Sequence, residues 1–574
     1  MSERDDNIKA EKIAVKEIFG EKYRFEIPNF QRPFSWKREN FEKLFENIYD
    51  ALESNQSEYF MGSIILQKQK DYYYIIDGQQ RLISLAILLA VIRDKISDEE
   101  TRRDIQSSLF QKEIKIKHIP AVVRVKMWED MELLEDYIYK EGETLNYKNI
   151  KYMDKKDPKY SLYEAIHTFI DKYEEEFDDE GKVKRFLEYL FNNVYVVFIS
   201  TRSLPYAIQL FNVLNTTGLP LSTADILKAS NIGEIEENMR NIYARKWREV
   251  ENAIGREEVE KVIEFIRTMK LKTKARKGIY EEYKKSIFGK YLHKGKEFVD
   301  YFVKISKIYR DTVLEPDDLR IHPKYKHIIR LMKRHIPFDD WIPPLIAFYE
   351  KFKGYRQNGN DISEYLYKFL INLERKTVIE WVLGYTFTKR VNSFNGVISV
   401  IDEEDKPEGV IQKVIPGEIK ETKDLDKIKD AFKERINFED FYNENFAKYL
   451  LLRIDLEMWD PDNYSPYEGE ITVEHILPQN PPPDNEWCKL FNENDREELT
   501  NKIGNLVLLS RRKNSRANNY DFEKKKTAYF LKGGKTPFQI TNSLENVRVW
   551  DRNALSQRQE EMINKLLTVY FGER

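Results

Sequence analysis

Residues 471–479, Ile-Thr-Val-Glu-His-Ile-Leu-Pro-Gln, and residues 504–509, Gly-Asn-Leu-Val-Leu-Leu, are the stretches from which the function of this chain is first predicted. The first stretch predicts a strand that ends on Glu474 and His475. The second predicts another strand, followed by polar residues up to Asn514. A neutral imidazole can take a proton from water, and a carboxylate with an amide oxygen can hold a hard divalent cation. The pattern therefore predicts a one-metal phosphodiesterase site.

These residues resemble the HNH, or ββα-metal, endonucleases. The family pattern is an acid–His pair, a Pro three residues after the His, an Asn in the second strand, and an Asn or His nine residues later. This chain has Glu474 and His475, then Pro478, Asn505 and Asn514, at those spacings. The resemblance implies that Glu474 and Asn514 bind Mg²⁺ or Mn²⁺ and that His475 is the general base. It also implies that Asn505 fixes the loop that presents His475.

A helical pattern rich in Lys and Arg follows, from about residue 515 to residue 530. We expect the cations just before this region and at its start to contact DNA phosphates, and these are Arg511, Arg512, Lys513 and Arg516. Two alternatives stay open. One acid–His pair in a chain with seven histidines can be an ordinary surface or core feature. A degenerate site would also keep the hydrophobic strands without the activity.

The composition limits the class of protein. A length of 574 residues predicts about three or four domains. A hydrophobic content of 41% favours folded cores, and a net charge of −3 excludes an overall polycation. The single cysteine, Cys488, excludes an intrachain disulfide framework and a Cys-based zinc site. Residues 1–12 lack the apolar core of a signal peptide, and the apolar run 82–92 is too short to cross a bilayer. We therefore expect a cytoplasmic protein without a membrane partner.

A second motif, Asp77-Gly-Gln-Gln-Arg81, stands between a predicted hairpin, residues 59–67 and 72–76, and an apolar helix, residues 82–96. The free N–H groups at the start of that helix favour an anion, and the Arg81 guanidinium fits a phosphate. The side chains of Asp77 and the two glutamines can orient a metal ion, a water molecule or a ribose. Alternatively, Asp77 only caps the helix and Arg81 lies at the surface.

Three motifs together resemble the N-terminal domain of GmrSD-type modification-dependent restriction proteins, which is similar to the ParB/sulfiredoxin fold. They are Ile27-Pro-x-Phe-Gln-Arg-Pro-x-x-Trp36, Asp77-Gly-Gln-Gln-Arg81, and Phe211-x-x-Leu-Asn215 with Leu221-Ser-x-x-Asp225. The resemblance covers roughly residues 10–235. It implies that this domain binds and hydrolyses an NTP, whether GTP, ATP or CTP, and that it senses modified DNA. The implied nucleotide-binding residues are Gln31, Arg32, Asp77, Gly78, Gln79, Gln80 and Arg81.

The middle of the chain predicts one helix after another, because apolar residues recur at three- and four-residue spacing. The predicted helices are 238–254, 257–269, 296–309, 325–334 and 361–383, and two more are predicted towards the end of the chain, at 438–459 and 543–574. Residues 267–296 carry eleven Lys and Arg against two Glu, with Tyr280, Tyr283 and Tyr291 interleaved. Such a segment can follow DNA phosphates. Alternatively, its charges form a solvated helix face and its aromatic rings pack into the helical core.

These predictions combine into a mostly helical α+β protein. We expect a ParB/sulfiredoxin-like domain at residues 1–235, a helical connecting domain at 236–401 and an HNH nuclease domain at 402–574. The resemblance implies an NTP-regulated, modification-dependent DNA endonuclease of the type IV restriction class, active in antiphage defence on modified double-stranded phage DNA. Because one such site cuts one strand, a homodimer is one way to break both. The alternatives are a non-cleaving, ParB-like nucleotide switch that clamps DNA or a partner, and an enzyme that cuts RNA.

Overall fold

The computed structural model describes most of the chain and shows a mostly helical α+β protein with a small mixed sheet. The described residues are 8–28, 34, 36–113, 121–126, 132–146, 160–202, 206–207, 210–211, 222–275, 278–318, 321–357, 360–414, 425–460, 464, 467–483, 485–510, 520–531 and 536–572. Two compact units are present. The first is Met1–Glu249 with Lys294–Val299, and the second is Val250–His293 with Asp300–Arg574.

The first unit is built on a six-stranded mixed sheet. Its strands are β1 Lys9–Ala14, β2 Phe25–Glu26, β3 Tyr59–Lys68, β4 Tyr73–Asp77, β5 Val125–Lys126 and β6 Val194–Thr201. They lie in the order β1-β6-β3-β4-β2-β5. The pairs β1/β6 and β3/β4 are antiparallel, whereas β6/β3, β4/β2 and β2/β5 are parallel. The predicted β3/β4 hairpin is confirmed. A separate pair joins Phe110–Gln111 to Val122–Val123.

One long helix, Gln79–Lys95, forms the centre of this unit. Every side chain from Leu82 to Ile92 is buried, as expected for a helix that is apolar on all faces. The other helices of the unit are Val15–Ile18, Arg38–Glu53, Glu99–Leu109, Glu132–Tyr139, Glu143–Leu145, Tyr160–Glu176, Glu180–Asn193 and Thr223–Gly233. Two further helices, Glu237–Ile254 and Lys296–Tyr309, contribute residues to both units.

The second unit is almost entirely helical, as the residue spacing predicts. Its helices and helical turns are Arg256–Leu271, Ile279–Glu282, Tyr283–Ile287, Arg310–Leu314, Pro316–Asp318, Lys324–His335, Ile342–Phe352, Ile362–Val382, Phe387–Glu403, Pro407–Lys413, Leu425–Ile436, Phe441–Asn443, Ala447–Glu457, Glu486–Leu490, Glu493–Leu499, Ile503–Asn505, Phe522–Lys524, Lys525–Phe530, Gln539–Asn542 and Arg552–Phe571. A two-residue pair joins Arg356–Gln357 to Asn360–Asp361. The only longer strand pair among the described residues of this unit is β7 Ile471–His475 with β8 Leu506–Ser510.

Three predicted helices differ from the structure in extent. The single helix expected from residue 438 to residue 459 is a short turn, Phe441–Asn443, followed by Ala447–Glu457. The last helix begins at Arg552 and not near residue 543, because Asp551 caps it. Of the cation-rich helix expected at 515–530, the described part is Phe522–Phe530, which continues from an α-helical turn into a wider π-helical one.

The three predicted domains, with boundaries at residues 235/236 and 401/402, stay a prediction, because the division of the chain into two compact units does not test them. No described helix is both long and apolar enough to span a membrane. Around β7 and β8 the second unit has a local core of its own, which includes Trp487, Val507, Leu509 and Trp550. This core fixes the strands that carry the acid–His pair.

Candidate active site

Strands β7 and β8 form the framework of the candidate site. They pair antiparallel, with Glu474 opposite Val507 and His475 opposite Leu506. The predicted strand pair is therefore confirmed, and the acid–His pair lies at the end of β7. Buried apolar side chains of β8 anchor the pair in the local core, so Glu474 and His475 stand on a rigid support.

Asn505, just before β8, holds the segment that follows His475. The Asn505 side chain is fully buried, and its Oδ1 accepts hydrogen bonds from Leu477 N at 2.8 Å and from Trp550 Nε1 at 3.2 Å. Its Nδ2 donates to Leu477 O at 2.9 Å and to Thr500 O at 2.7 Å. With four hydrogen bonds to three residues, this one amide joins the turn after β7 to the turn before β8.

His475 is held as a neutral imidazole. The residue is only 7% exposed, and its ring centroid lies 4.3 Å from that of Tyr442. Its Nε2 lies 3.0 Å from Asn501 Oδ1. Burial lowers the pKa of His475 to about 4, although the hydrogen bond to Asn501 raises it, and the nearby Lys525 charge lowers it further. At neutral pH the imidazole is therefore uncharged, which is the form a general base needs.

Two residues outside the predicted set orient this imidazole. Asn501 lies just after the Glu493–Leu499 helix, and its Nδ2 donates to Asp440 Oδ1 at 2.8 Å. Its Oδ1 also accepts a hydrogen bond from Gln479 Nε2 at 3.1 Å. Asn501 is 26 residues from His475 and 61 residues from Asp440. Single polar residues at such separations leave no periodic signal in a sequence.

Glu474 has a partner that the sequence did not predict either. Lys525 Nζ lies 3.1 Å from Glu474 Oε1 and donates to His475 O at 2.8 Å. The Lys525 side chain is fully buried. Burial raises the pKa of Glu474, and burial lowers the pKa of Lys525, while their mutual attraction opposes both shifts. A positive group of the protein itself thus lies at the carboxylate expected to bind a metal.

The described residues supply only part of the ligand set that a divalent cation would need. Glu474 Oε1 is bound to Lys525, whereas Oε2 has no hydrogen-bond partner among the described residues. A carboxylate oxygen is a ligand that Mg²⁺ accepts together with water and phosphate oxygens. In the described part of the chain, no three His, Cys, Asp or Glu side chains cluster in a way that could hold a metal. The other expected ligand, Asn514, lies outside the described residues, as do Arg511, Arg512, Lys513 and Arg516.

The C-terminal helix Arg552–Phe571 supports the start of β8. Arg558 is buried, and its guanidinium donates to Gly504 O, Leu506 O and Ile540 O. A Cβ on Gly504 would lie 2.8 Å from the Gln559 backbone, which cannot move aside easily. Glycine is needed there for this close approach, and the helix in turn fixes the position of Asn505.

In the first unit, the Asp77–Arg81 turn has the predicted strand–turn–helix form. Gly78 has a φ of +90°, and a Cβ there would lie 2.8 Å from Ile64 Cγ1, so glycine is required. Gln80 Oε1 accepts a hydrogen bond from Trp36 N at 3.2 Å, which ties the end of the Ile27–Trp36 motif to the turn. Gln31 and Arg32 of that motif lie outside the described residues.

The Arg81 side chain is not a surface residue, and hydrogen bonds within the protein already engage both terminal nitrogens of its guanidinium. Its Nη1 donates to Met61 O at 3.0 Å and its Nη2 to Ser63 O at 2.8 Å, and Asp77 Oδ2 lies 3.8 Å from Nη2. Burial lowers the pKa of Arg81, and the Asp77 charge raises it. Gly62, with a φ of +115°, leaves the space that the guanidinium fills. Arg81 therefore clamps β3, and the nucleotide role of this turn stays a prediction.

The cation-rich segment 267–296 has some side chains that are buried in the core and others that are exposed to solvent. Arg267 is buried and bonded to Glu282 and Thr273, and Tyr283 is buried with its hydroxyl donating to Ile263 O at 2.8 Å. Tyr291, in contrast, is exposed. Packing thus explains part of the segment, and contact with nucleic acid stays a prediction for the rest.

Comparison with known proteins identifies the family. No curated protein matches the chain. Residues 15–232 match the N-terminal domain of the GmrSD restriction endonuclease, and residues 426–565 match the C-terminal domain of GmrSD restriction endonucleases. The first match includes the Asp77–Arg81 turn, and the second includes β7, β8 and every partner of His475 described above. The two matches together span more than half of the chain, which belongs to the GmrSD restriction endonuclease family.

Proposed function

We propose that this chain is an NTP-regulated, modification-dependent DNA endonuclease that hydrolyses phosphodiester bonds with His475 as the general base. Membership of the GmrSD family supports a restriction nuclease role. The observation that carries the chemistry is a neutral, oriented imidazole at the end of β7, next to the Glu474 carboxylate. This pairing suits the activation of a water molecule beside a phosphate.

Each residue of the site has a distinct part in this reaction. His475 takes the proton of a water molecule while the water oxygen bonds to phosphorus and the 3′ oxygen leaves. Asn501 Oδ1, 3.0 Å from Nε2, stabilises the positive charge that the ring gains. Asn505 keeps the turn after His475 in place through its two bonds with Leu477. Positioning of this kind is a large part of catalysis at phosphates.

The cofactor proposal is a single Mg²⁺ or Mn²⁺ ion held by Glu474 and Asn514. When bound, the ion would neutralise charge on the scissile phosphate. Lys525 holds one oxygen of Glu474 at 3.1 Å, so the carboxylate presents its other oxygen. Arg511, Arg512, Lys513 and Arg516 are proposed to bind the flanking phosphates.

The first unit is proposed to bind the nucleotide. Three features support an anion at the Asp77–Arg81 turn: the start of a long helix, a left-handed glycine, and the hydrogen bond from Trp36 N to Gln80 Oε1. Gln31 and Arg32, which precede Trp36 in the same motif, would complete the site. Because Arg81 is bonded to β3, we propose that it positions the turn and lends its charge to the phosphates.

The decisive test is a cleavage assay with His475→Ala. Plasmid DNA that carries modified cytosines is incubated with Mg²⁺, with and without NTP. We expect single-turnover cleavage to fall by about 10²–10⁴-fold, the usual contribution of a general base, with DNA binding retained. The matched control is His322→Ala, which removes an exposed histidine stacked on Tyr367 at 4.2 Å. Cleavage by His475→Ala at the parent rate contradicts the mechanism.

One observation favours a second candidate, a non-cleaving ParB-like nucleotide switch with a degenerate nuclease fold. The Lys525 ammonium at Glu474 supplies the positive charge that a metal would otherwise bring. A site kept only as a scaffold would have this pair and cut nothing. The same plasmid panel separates the two candidates, since the switch binds DNA or a partner in response to NTP without producing nicked or linear DNA. Digestion of RNA in a parallel assay would favour the third alternative.

A further inference from the structure

Three polar side chains from distant parts of the second unit form a line that ends at His475. Asp440 Oδ1 accepts from Asn501 Nδ2 at 2.8 Å, and Asn501 Oδ1 lies 3.0 Å from His475 Nε2. The backbone reinforces this line, because Tyr442 N donates to Asn501 O at 2.9 Å. The ring of Tyr442 also packs against the imidazole, at 4.3 Å between centroids. Tyr442 therefore stabilises this line of side chains in two ways, through a backbone hydrogen bond to Asn501 and through a ring contact with His475.

The carboxylate at one end decides the orientation of the amide. An ionised carboxylate only accepts hydrogen bonds, so the amide group that faces Asp440 must be the NH₂ of Asn501. Asn443 Nδ2 donates to the same Asp440 oxygen at 2.8 Å. The opposite orientation of Asn501 would set two oxygens against each other at 2.8 Å. The carbonyl oxygen of Asn501 therefore faces His475, where it also accepts from Gln479 Nε2 at 3.1 Å.

The amide orientation in turn decides which imidazole nitrogen carries the proton. Asn501 Oδ1 can only accept, so His475 Nε2 must be the N–H. In a neutral imidazole the other nitrogen, Nδ1, then holds the lone pair. Nδ1 has no hydrogen-bond partner among the described residues, and His475 keeps a small exposed surface. Nδ1 is therefore the nitrogen that can meet a water molecule.

We propose that Asp440 and Asn501 are positioning residues that lock His475 in the Nε2–H tautomer and so aim the Nδ1 lone pair at the attacking water. This inference rests on the proposed role of His475 as the general base. Neither residue touches the reacting atoms, and each acts through its neighbour in the line. The geometry also explains why a turn as distant in sequence as Phe441–Asn443 belongs to the site.

The first test reads the tautomer directly and needs no DNA, metal or nucleotide. The full chain is labelled with ring-¹⁵N histidine, and His475→Ala identifies the signal of His475 among the seven histidines. At neutral pH we expect the parent protein to show a protonated Nε2 and an unprotonated Nδ1. A protonated Nδ1, or an even mixture of both forms, overturns the proposal whatever the protein does to DNA.

The second test removes the fixed acceptor. Asp440→Asn keeps the shape of the side chain, but an amide can donate or accept, so the orientation of Asn501 is no longer imposed. We expect a mixed tautomer for His475 and a loss of about 10–100-fold in kcat with little change in KM for DNA, the usual range for outer partners that orient a functional group. Glu439→Gln is the matched control, since it removes the same charge from an exposed neighbour.

The outcomes separate this inference from the proposed function. The proposal holds if the parent protein has the Nε2–H tautomer and Asp440→Asn shows both a mixed tautomer and a lower kcat. If Asp440→Asn keeps the parent tautomer and kcat, the positioning role is wrong. If Asp440→Asn does not fold, the tautomer of the parent still decides. A parent protein that has the expected tautomer but cuts no DNA counts against the endonuclease and not against the line of hydrogen bonds.

Discussion

Asn505 holds the turn after His475 through its buried hydrogen bonds, and Asn505→Asp tests how far the position of His475 depends on them. The substitution keeps the shape and one acceptor oxygen, which still faces Leu477 N and Trp550 Nε1. It replaces the NH₂ group with a second oxygen. That oxygen would face Leu477 O and Thr500 O at 2.9 and 2.7 Å, where two hydrogen bonds are now donated.

The magnitude follows from the two lost donors. Leaving one buried polar group unsatisfied costs about 1–3 kcal/mol. Both carbonyls lose the same NH₂ group, so their costs do not simply add. We therefore expect the free energy of local opening to fall by about 2–4 kcal/mol in total. The Asn505 side chain is fully buried, so water cannot replace the lost donors. Since 1.4 kcal/mol is a factor of ten, the local opening equilibrium should rise by about 30- to 700-fold.

Hydrogen exchange measured by mass spectrometry suits this prediction because it reports local opening. The amide of Leu477, which donates to Asn505 at 2.8 Å, and that of Ile476, which donates to Asn505 O at 2.9 Å, lie in the same peptide. We expect both to exchange faster in Asn505→Asp, and cleavage to fall with them.

Asn372→Asp provides the matched control. Asn372 is also buried in the second unit, but its Nδ2 donates one bond, to Ile411 O at 2.8 Å. The control should change exchange near residue 411 and leave the Ile476–Leu477 amides as they are in the parent. Unchanged exchange of those two amides in Asn505→Asp would refute the role assigned to Asn505.

The remaining predictions concern the charged groups. Lys525→Met leaves the Glu474 carboxylate buried without its partner and should lower the free energy of unfolding by about 3 kcal/mol; denaturant titration should also show that adding Glu474→Gln recovers most of the loss. The lowered pKa of His475, about 4, means that the base stays neutral as pH falls from about 8 to about 5 and is lost only as pH falls through about 4. Single-turnover cleavage should therefore be flat over that interval, and a decline centred on the ordinary value of 6.5 contradicts the assignment. Arg81→Ala should weaken NTP binding about tenfold by calorimetry, the effect of about 1.5 kcal/mol for a charged hydrogen-bonding group. Arg103→Ala, which removes an exposed cation paired with Glu99, is the control, and equal NTP affinities of the two variants count against the phosphate site.

The local features of this protein were accessible from the sequence. Strands β7 and β8, the β3/β4 hairpin and the helix after Gly78 follow from the spacing of apolar residues within short windows. The acid–His pair and Asn505 were singled out because their spacing along the chain is characteristic, and the structure places Asn505 against the turn after His475. Element ends were less well predicted, as at residues 438–459, where a turn interrupts the apolar pattern.

By itself, the sequence determined which residues form strands and helices and that His475 lies at the end of a strand, because backbone hydrogen bonding and apolar periodicity act over a few residues. Only the tertiary structure decided what surrounds that histidine. Lys525 reaches Glu474 across 51 residues, and Asp440 reaches Asn501 across 61. Such contacts depend on how the buried core brings separate turns and helices together. The charge and burial of His475 and the partners of its ring are therefore properties of the folded unit, because each is set by groups that the chain brings near only when it packs.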